Sequence, residues 1–205
     1  LKSADAIRVP EPLLYGRSRS TYFLITEFMQ KSAPAPAFWK DFARSVARLH
    51  QCSREDFGWE EDNFIGSLPQ SNRRHQSWSE FYAAERLIPL VRLAYDKEFL
   101  GHTELSLFDH LYKLLPQLLP EEKASLLHGD LWGGNCLVAD GGHACIYDPA
   151  VYYGHREVDL AMARLFGGFD QKFFVYYDEY FPLLDGWKKR IPLYQLYYLL
   201  VHLVL

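Results

Sequence analysis

Much that would assign this chain to a familiar class is missing. Its 205 residues hold only three cysteines, Cys52, Cys136 and Cys145. So odd and sparse a set, with no Cys-x-x-Cys and no His-x-x-x-His spacing, argues against a disulfide framework and a dedicated zinc site; it points to a reducing, cytoplasmic setting. The N-terminus lacks the shape of a signal peptide. The most apolar run, Ile191 to Leu205, is 15 residues long, whereas a bilayer span takes about 20. With Gln195 and His202 inside it, this run reads as a core helix, and its uncapped end suggests a domain that continues beyond it. There is no basic block: 22 Lys and Arg stand against 26 Asp and Glu, a net charge of −4. Nucleic acid and anionic membrane surfaces are therefore poor partners. No G-x-G-x-x-G or G-x-x-x-x-G-K stretch is present to cradle phosphates.

What is present suits a sizeable core. Apolar residues make up 49% and aromatics 16%, while the 23% of charged residues are interspersed rather than blocked. The length fits one large domain or two small ones. Residues 2–6 read as a frayed helix end. Leu13-Leu14-Tyr15 and residues 21–29 flank the polar turn Arg17-Ser18-Arg19-Ser20 and read as a hairpin. Pro34 and Pro36 mark 31–37 as a linker. Phe38, Phe42, Val46 and Leu49 recur at helical spacing. Residues 51–76 read as loop, and Ser77-Trp78-Ser79-Glu80 as a capping box opening a helix. A third helix covers about residues 103–119 before Pro120. A short strand at 126–128 and a hairpin turning on Asp140-Gly141-Gly142-His143 follow; the remainder is helical. Segregated strands and helices give an α+β class, not alternating βαβ. The domain division is 1–30, a small β lobe; 31–37, a hinge; and 38–205, a helical lobe.

The chemistry concentrates in His128-Gly129-Asp130-Leu131-Trp132-Gly133-Gly134-Asn135, followed by Asp148. The kinase catalytic-loop pattern H-R-D-L-x-x-x-N, with the Asp of D-F-G, matches at His128, Asp130, Leu131, Asn135 and Asp148. Gly129 replaces the Arg, and Asp148-Pro149-Ala150 replaces D-F-G. A hairpin symmetric about the Gly141–Gly142 bond would set Asn135 directly across from Asp148, with Cβ atoms about 4.5–5.5 Å apart. An amide oxygen and a carboxylate at that spacing suit Mg²⁺, which prefers a few hard oxygens completed by phosphate and water. Asp130, on the loop of residues 128–135 leading into the hairpin, could take the proton of a substrate hydroxyl. The same residues also allow a plain capping loop and an ordinary strand exit. With no Arg at position 129, and only seven residues between Asp148 and Arg156, control by loop phosphorylation is not expected. The acceptor is expected to be a small molecule.

The run His128 to Asn135, Tyr147-Asp148-Pro149-Ala150 and Tyr153-Gly154-His155-Arg156-Glu157-Val158-Asp159 together resemble the fructosamine kinase (ketosamine-3-kinase) family. Phe57-Gly58-Trp59, Asp62-Asn63-Phe64-Ile65-Gly66 and Leu165-Phe166-Gly167-Gly168-Phe169 extend the resemblance over nearly the whole chain. It implies a protein-kinase-like two-lobe fold, ATP with Mg²⁺, and phosphorylation of the sugar 3-hydroxyl of a free or protein-linked ketosamine, which frees the glycated amine. It casts Asp130 as catalytic base and Asn135 and Asp148 as metal ligands. The backbone at Glu27, Phe28 and Met29 would bind adenine, and Asp159 would brace the catalytic loop. The resemblance also implies a Gly-rich loop and a strand lysine that are not found here, so the chain is expected to begin part-way through the small lobe. Other acceptors of the same fold (an aminoglycoside, choline or a sugar) and a non-catalytic kinase-like module are the alternatives.

Further residues carry two readings each. Trp132, Trp59, Asn63, Tyr152 and His155 are candidate acceptor contacts or else packing. His128 reads as a backbone brace. The tyrosines at 194, 197 and 198 read as core, and Cys136 and Cys145 as buried thiols without a redox task.

Overall fold

Two runs rich in leucine and aromatic residues form the antiparallel hairpin of β1 (Pro12–Ser18) and β2 (Thr21–Thr26), turned at Arg19 with φ 55°. In the computed structural model, which describes residues 1–205, both faces of this hairpin are largely exposed. Strand β2 stops at Thr26, short of the expected residue 29, so Glu27 to Met29 run on as irregular chain. The linker then docks through Ser32 N–H on Val138 O (3.0 Å) and Ala35 N–H on Gly142 O (3.1 Å).

Helix α1 (Phe38–Gln51) buries Phe42, Val46 and Leu49, the stripe that its spacing predicts. The segment read as loop contains three short strands, β3 (Ser53–Arg54), β4 (Asn63–Ile65) and β5 (Leu68–Gln70). Strands this short leave no periodicity to read. Helix α2 (Trp78–Phe81) passes through a π-helical stretch, Tyr82–Leu87, into α3 (Ile88–Asp96). The helix begins where expected, but the capping box does not form. The Ser77 hydroxyl pairs with Ser79 Oγ at 2.9 Å and makes no cap hydrogen bond. Helix α4 (His102–Leu118) keeps Pro116 in its last turn.

Strand β6 (Ala124–Leu127) is buried throughout and forms the centre of the antiparallel sheet β3-β6-β9, where β9 is Tyr152–Gly154. Between them stands the hairpin of β7 (Cys136–Ala139) and β8 (His143–Ile146). Its register corrects the sequence expectation. Ala139 pairs with His143 and Cys136 with Ile146, and Tyr147 N–H bonds Asn135 O at 3.1 Å. Asn135 therefore lies opposite Tyr147, not Asp148. The turn uses three residues, Asp140 to Gly142, with Gly141 and Gly142 both at φ 79°, so the symmetry centre falls on Gly141 instead of the following bond. Gly142 also has to be bare, because a Cβ there would lie 2.6 Å from Ala35 N.

Helices α5 (Glu157–Leu165), α6 (Gln171–Tyr180) and α7 (Trp187–Val204) complete the chain. The core has two parts. One joins Trp78, Phe81 and Tyr82 to Tyr194, Tyr197 and Tyr198 of α7; the other joins α1 to α6 through Phe42, Val46, Phe173 and Tyr177. Large buried side chains of this kind contribute about 1.5–3 kcal/mol each, and they seat β6 between the two. No helix is long and apolar enough to cross a membrane.

Candidate active site

Strand β6 is buried on both sides, so the polar residues that follow it emerge at a fixed point between the two cores. The loop there is held at almost every backbone group. Asp159 of α5, fully buried, accepts the N–H of His128 at 2.8 Å and of Gly129 at 2.9 Å. The Tyr198 hydroxyl donates to Gly129 O at 2.8 Å. His128 Nδ1 accepts the Asp130 N–H at 3.2 Å, so its Nε2 carries the proton and donates to Tyr147 O at 3.0 Å. Burial lowers the His128 pKa against the opposing pull of Asp159, which keeps the ring neutral. Gly129, at φ 82°, is required: a Cβ there would sit 2.0 Å from Ala150 O.

Asp130 and Asn135 meet directly. Asn135 Nδ2 donates to Asp130 Oδ2 at 2.8 Å and to Asp130 O at 3.0 Å, with Asp148 O at 3.4 Å. Asp148 meets the cluster through this carbonyl despite the shifted register, and its backbone adopts the left-handed region at φ 55°, rare for a residue with a side chain. Strain of this sort persists only where the surroundings over-determine it, and it gathers at functional sites. Burial raises the Asp130 pKa to about 6; the charges of Asp148 and Asp159 add to the rise, and the Asn135 hydrogen bond works against it. A carboxylate with that pKa suits proton acceptance near neutral pH.

The donor set suits a hard cation. No group of three His, Cys, Asp or Glu side chains converges anywhere in the chain. With its nitrogen committed to Asp130, the Asn135 amide keeps its oxygen without a protein partner, and the Asp148 carboxylate also makes no bond within the chain. Two hard oxygens completed by phosphate and water match the habit of Mg²⁺.

Two cavities flank the cluster. One of about 740 Å³ is lined by Glu27, Phe28, Met29, Leu137, Ile146 and Asp148, so the expected adenine-binding segment and the expected metal ligand share one space. Glu27 is tied to Arg8 and to the Glu11 N–H. The other cavity, of about 310 Å³, is lined by Asp130, Trp132, Met162, Phe166, Tyr198 and His202, among others. Trp132 is 37% exposed, meets Phe166 edge-on at 6.2 Å and lies close over Gly134.

Four candidate acceptor residues lie elsewhere. Trp59 stacks on Tyr153 at 5.5 Å beneath Arg54, and no cavity beside Asp130 includes it. Asn63 spends its amide on Val151 O (2.7 Å) and Gln70 Nε2 (2.8 Å). Tyr152 is fully buried, with the Arg86 guanidinium 4.0 Å from its ring centroid. His155 is also fully buried, stacked on Tyr194 at 5.6 Å with Nε2 3.2 Å from Glu122. In each case the side chain is spent on packing or hydrogen bonds away from Asp130.

Sequence reasoning missed His50, whose Nε2 lies 3.1 Å from Asp159 and whose Nδ1 lies 2.7 Å from the Tyr177 hydroxyl. A lone histidine on an apolar helix face gave no signal. It also missed Phe166 and His202 as cavity walls, and the hydroxyl contact of Tyr198, because a tyrosine at core spacing conceals a polar tip.

The fructosamine kinase family model matches residues 1–205. An Enterococcus faecium protein named "Probable ketoamine kinase" is 37% identical over 206 residues, 99% of this chain and 73% of that relative. A Mus musculus ketosamine-3-kinase is 39% identical over 150 residues, 72% of this chain and 48% of its own length. The crystal structure of a Haemophilus somnus protein, assigned by name to the fructosamine-3-kinases, superposes with a TM-score of 0.89 at 30% identity; the match covers 99% of this chain and 68% of that one. An ADP-bound aminoglycoside phosphotransferase, APH(2'')-Ib, reaches 0.61 at 14% identity over 97% and 68% of the two chains, a likeness of fold alone. The α+β architecture is thus protein-kinase-like.

Proposed function

Because this chain belongs to the fructosamine kinase family, we propose that it serves an ATP-dependent small-molecule kinase that phosphorylates the sugar 3-hydroxyl of a ketosamine. The observation that carries this reading is the position of Asp130: its carboxylate lines the smaller cavity, while its hydrogen-bond partner Asn135 contacts the Asp148 carbonyl beside the larger one. The nucleotide would occupy the larger cavity, with adenine against Glu27, Phe28 and Met29. The sugar would occupy the smaller, with Trp132 and Phe166 as its apolar walls.

Asp130 would accept the proton of the attacking hydroxyl as its oxygen bonds the γ-phosphorus and the bond to the ADP oxygen breaks. Asn135 and Asp148 would hold Mg²⁺, which supplies charge neutralisation on the phosphates. Asp159, His128 and Tyr198 would keep the loop in place, so that catalysis rests on positioning and electrostatics. Asp130 is the only carboxylate among the residues lining the smaller cavity. A polycationic aminoglycoside would find that single counter-charge among them, which favours a ketosamine with a single amine. Phosphorylation at that oxygen destabilises the adduct and releases the amine, a deglycation repair.

The test is ³¹P NMR of the full chain with ATP, Mg²⁺ and, in turn, fructosamine, ribulosamine and aminoglycoside acceptors. A new phosphomonoester on the ketosamine 3-oxygen is expected. Turnover of the aminoglycoside without the ketosamine would overturn the acceptor assignment.

A further inference from the structure

Strands β4 and β5 form a hairpin with one end at the smaller cavity and the other against the segment after Asp148. Ile65 and Gly66, near the tip, line the cavity beside Asp130. At the base, Asn63 and Gln70 pair directly across the strands. Their two carboxamides form a continuous tie. Asn63 Nδ2 donates to Val151 O at 2.7 Å, Gln70 Nε2 donates to Ala150 O at 3.3 Å and to Asn63 Oδ1 at 2.8 Å, and the Tyr197 hydroxyl of α7 donates to Gln70 Oε1. Gln70 is 3% exposed. Burying a primary amide is costly unless its polar atoms are bonded, and here they are spent on the backbone two and three residues beyond Asp148.

Asp148 needs such support, being held in the left-handed region. Upstream it is fixed by Tyr147, which bonds both Asn135 and His128. Downstream, the catalytic loop contributes one bond, from Ala150 N–H to His128 O at 2.9 Å. The two carboxamides add the bonds to Ala150 O and Val151 O from outside the loop and its hairpin. We propose that Asn63 and Gln70 are positioning residues that hold Asp148 in place for its cation and key that placement to the hairpin walling the acceptor cavity. This rests on the reading of Asp148 as a Mg²⁺ ligand.

The experiment uses the full chain with Mn²⁺ and ADP as probes and compares wild type with Gln70→Met, Asn63→Ser and the double variant. Free Mn²⁺ is followed by electron paramagnetic resonance, and ADP affinity is measured separately without metal. Removing groups that orient a metal ligand typically weakens metal affinity about 10- to 100-fold, and that is the expected loss for each single variant, with metal-free ADP affinity unchanged. Because the two amides act as a unit, the double variant should lose less than the product of the single losses. Should Gln70→Met fail to fold, Asn63→Ser carries the test, since its side chain is only half-buried. Wild-type Mn²⁺ affinity in the variants would overturn the proposal. So would parallel loss of metal-dependent and metal-free ADP binding, which marks general loosening. A wild-type chain that binds ADP with no Mn²⁺ dependence would overturn the underlying ligand assignment, and the proposal with it.

Discussion

Asn135 donates its amide nitrogen to the Asp130 carboxylate at 2.8 Å, and the same nitrogen lies 3.4 Å from the Asp148 carbonyl, which leaves its oxygen without a partner in the chain. One side chain thus steadies the ionised acid and, on the proposed reading, keeps an oxygen for a cation. Burial lifts the Asp130 pKa to about 6 while this hydrogen bond restrains the rise. In the metal-free protein, a ¹³C NMR titration of the Asp130 carboxyl should show a midpoint near 6, and Asn135→Ala should move it upward. A midpoint near 4 would contradict the burial argument. Since the base works ionised and a cation bound beside it favours that form, kcat/KM should rise with pH below this midpoint and then level off.

The Asp148 assignment is tested through nucleotide binding. Asp148→Ala should weaken Mg²⁺-dependent ADP binding and leave metal-free binding nearly intact, as read by calorimetry with and without Mg²⁺. Equal Mg²⁺ dependence in variant and wild type would refute it.

Gly129 is a steric requirement. Gly129→Ala would place a methyl group 2.0 Å from Ala150 O in a backbone region unsuited to L-residues. The conformation alone costs about 1–3 kcal/mol, and the clash must also displace the segment following Asp148. Chemical denaturation should show at least that loss, accompanied by a fall in activity. Unchanged stability would mean that the two segments are not in close contact.

Much of this was legible in the sequence, and the exceptions have physical causes. Helix α1 follows from its apolar stripe, and the meeting of Asp130, Asn135 and Asp148 follows from a hairpin between the last two. The register differs by one because two adjacent glycines permit either a two- or a three-residue turn, and the turn that forms is bonded to Ser32 and Ala35, contacts distant in sequence. Asp148 nonetheless has its carbonyl 3.4 Å from the Asn135 amide nitrogen, with its own backbone left-handed at φ 55°, a geometry that spacing cannot reveal. Trp59, Asn63, Tyr152 and His155 keep two readings in the sequence, because a polar or aromatic residue in a loop reads alike whether it faces a ligand or a buried partner. Arg86 shows the limit: it is fully buried and bonded to Ser71 O and Asn72 Oδ1, contacts that no local pattern encodes.

His155 and Arg156, following β9, instead form a stability clamp with Glu122. Burial alone would raise the Glu122 carboxyl, but hydrogen bonds and charge from His155 and Arg156 outweigh it and hold the pKa at about 2. A depressed carboxylate stabilises the fold above its unfolded pKa and loses that contribution as pH falls. Stability should therefore decline from about pH 4.5 toward 2. Arg156 is 3% exposed, and breaking a buried pair of this kind typically costs about 3–5 kcal/mol. Glu122→Gln should lower stability toward that extent at pH 7 and flatten the acid decline in urea denaturation. An unchanged acid profile would contradict the clamp.

The proposed mechanism rests on Asp130 taking the proton of the acceptor hydroxyl. Single-turnover phosphoryl transfer from ATP to a ketosamine, measured in wild type and in Asp130→Asn alongside ATP affinity, isolates that step. A fall of about 10²–10⁴-fold in the transfer rate is expected, with ATP affinity unchanged. A variant that transfers phosphate at the wild-type rate would contradict it.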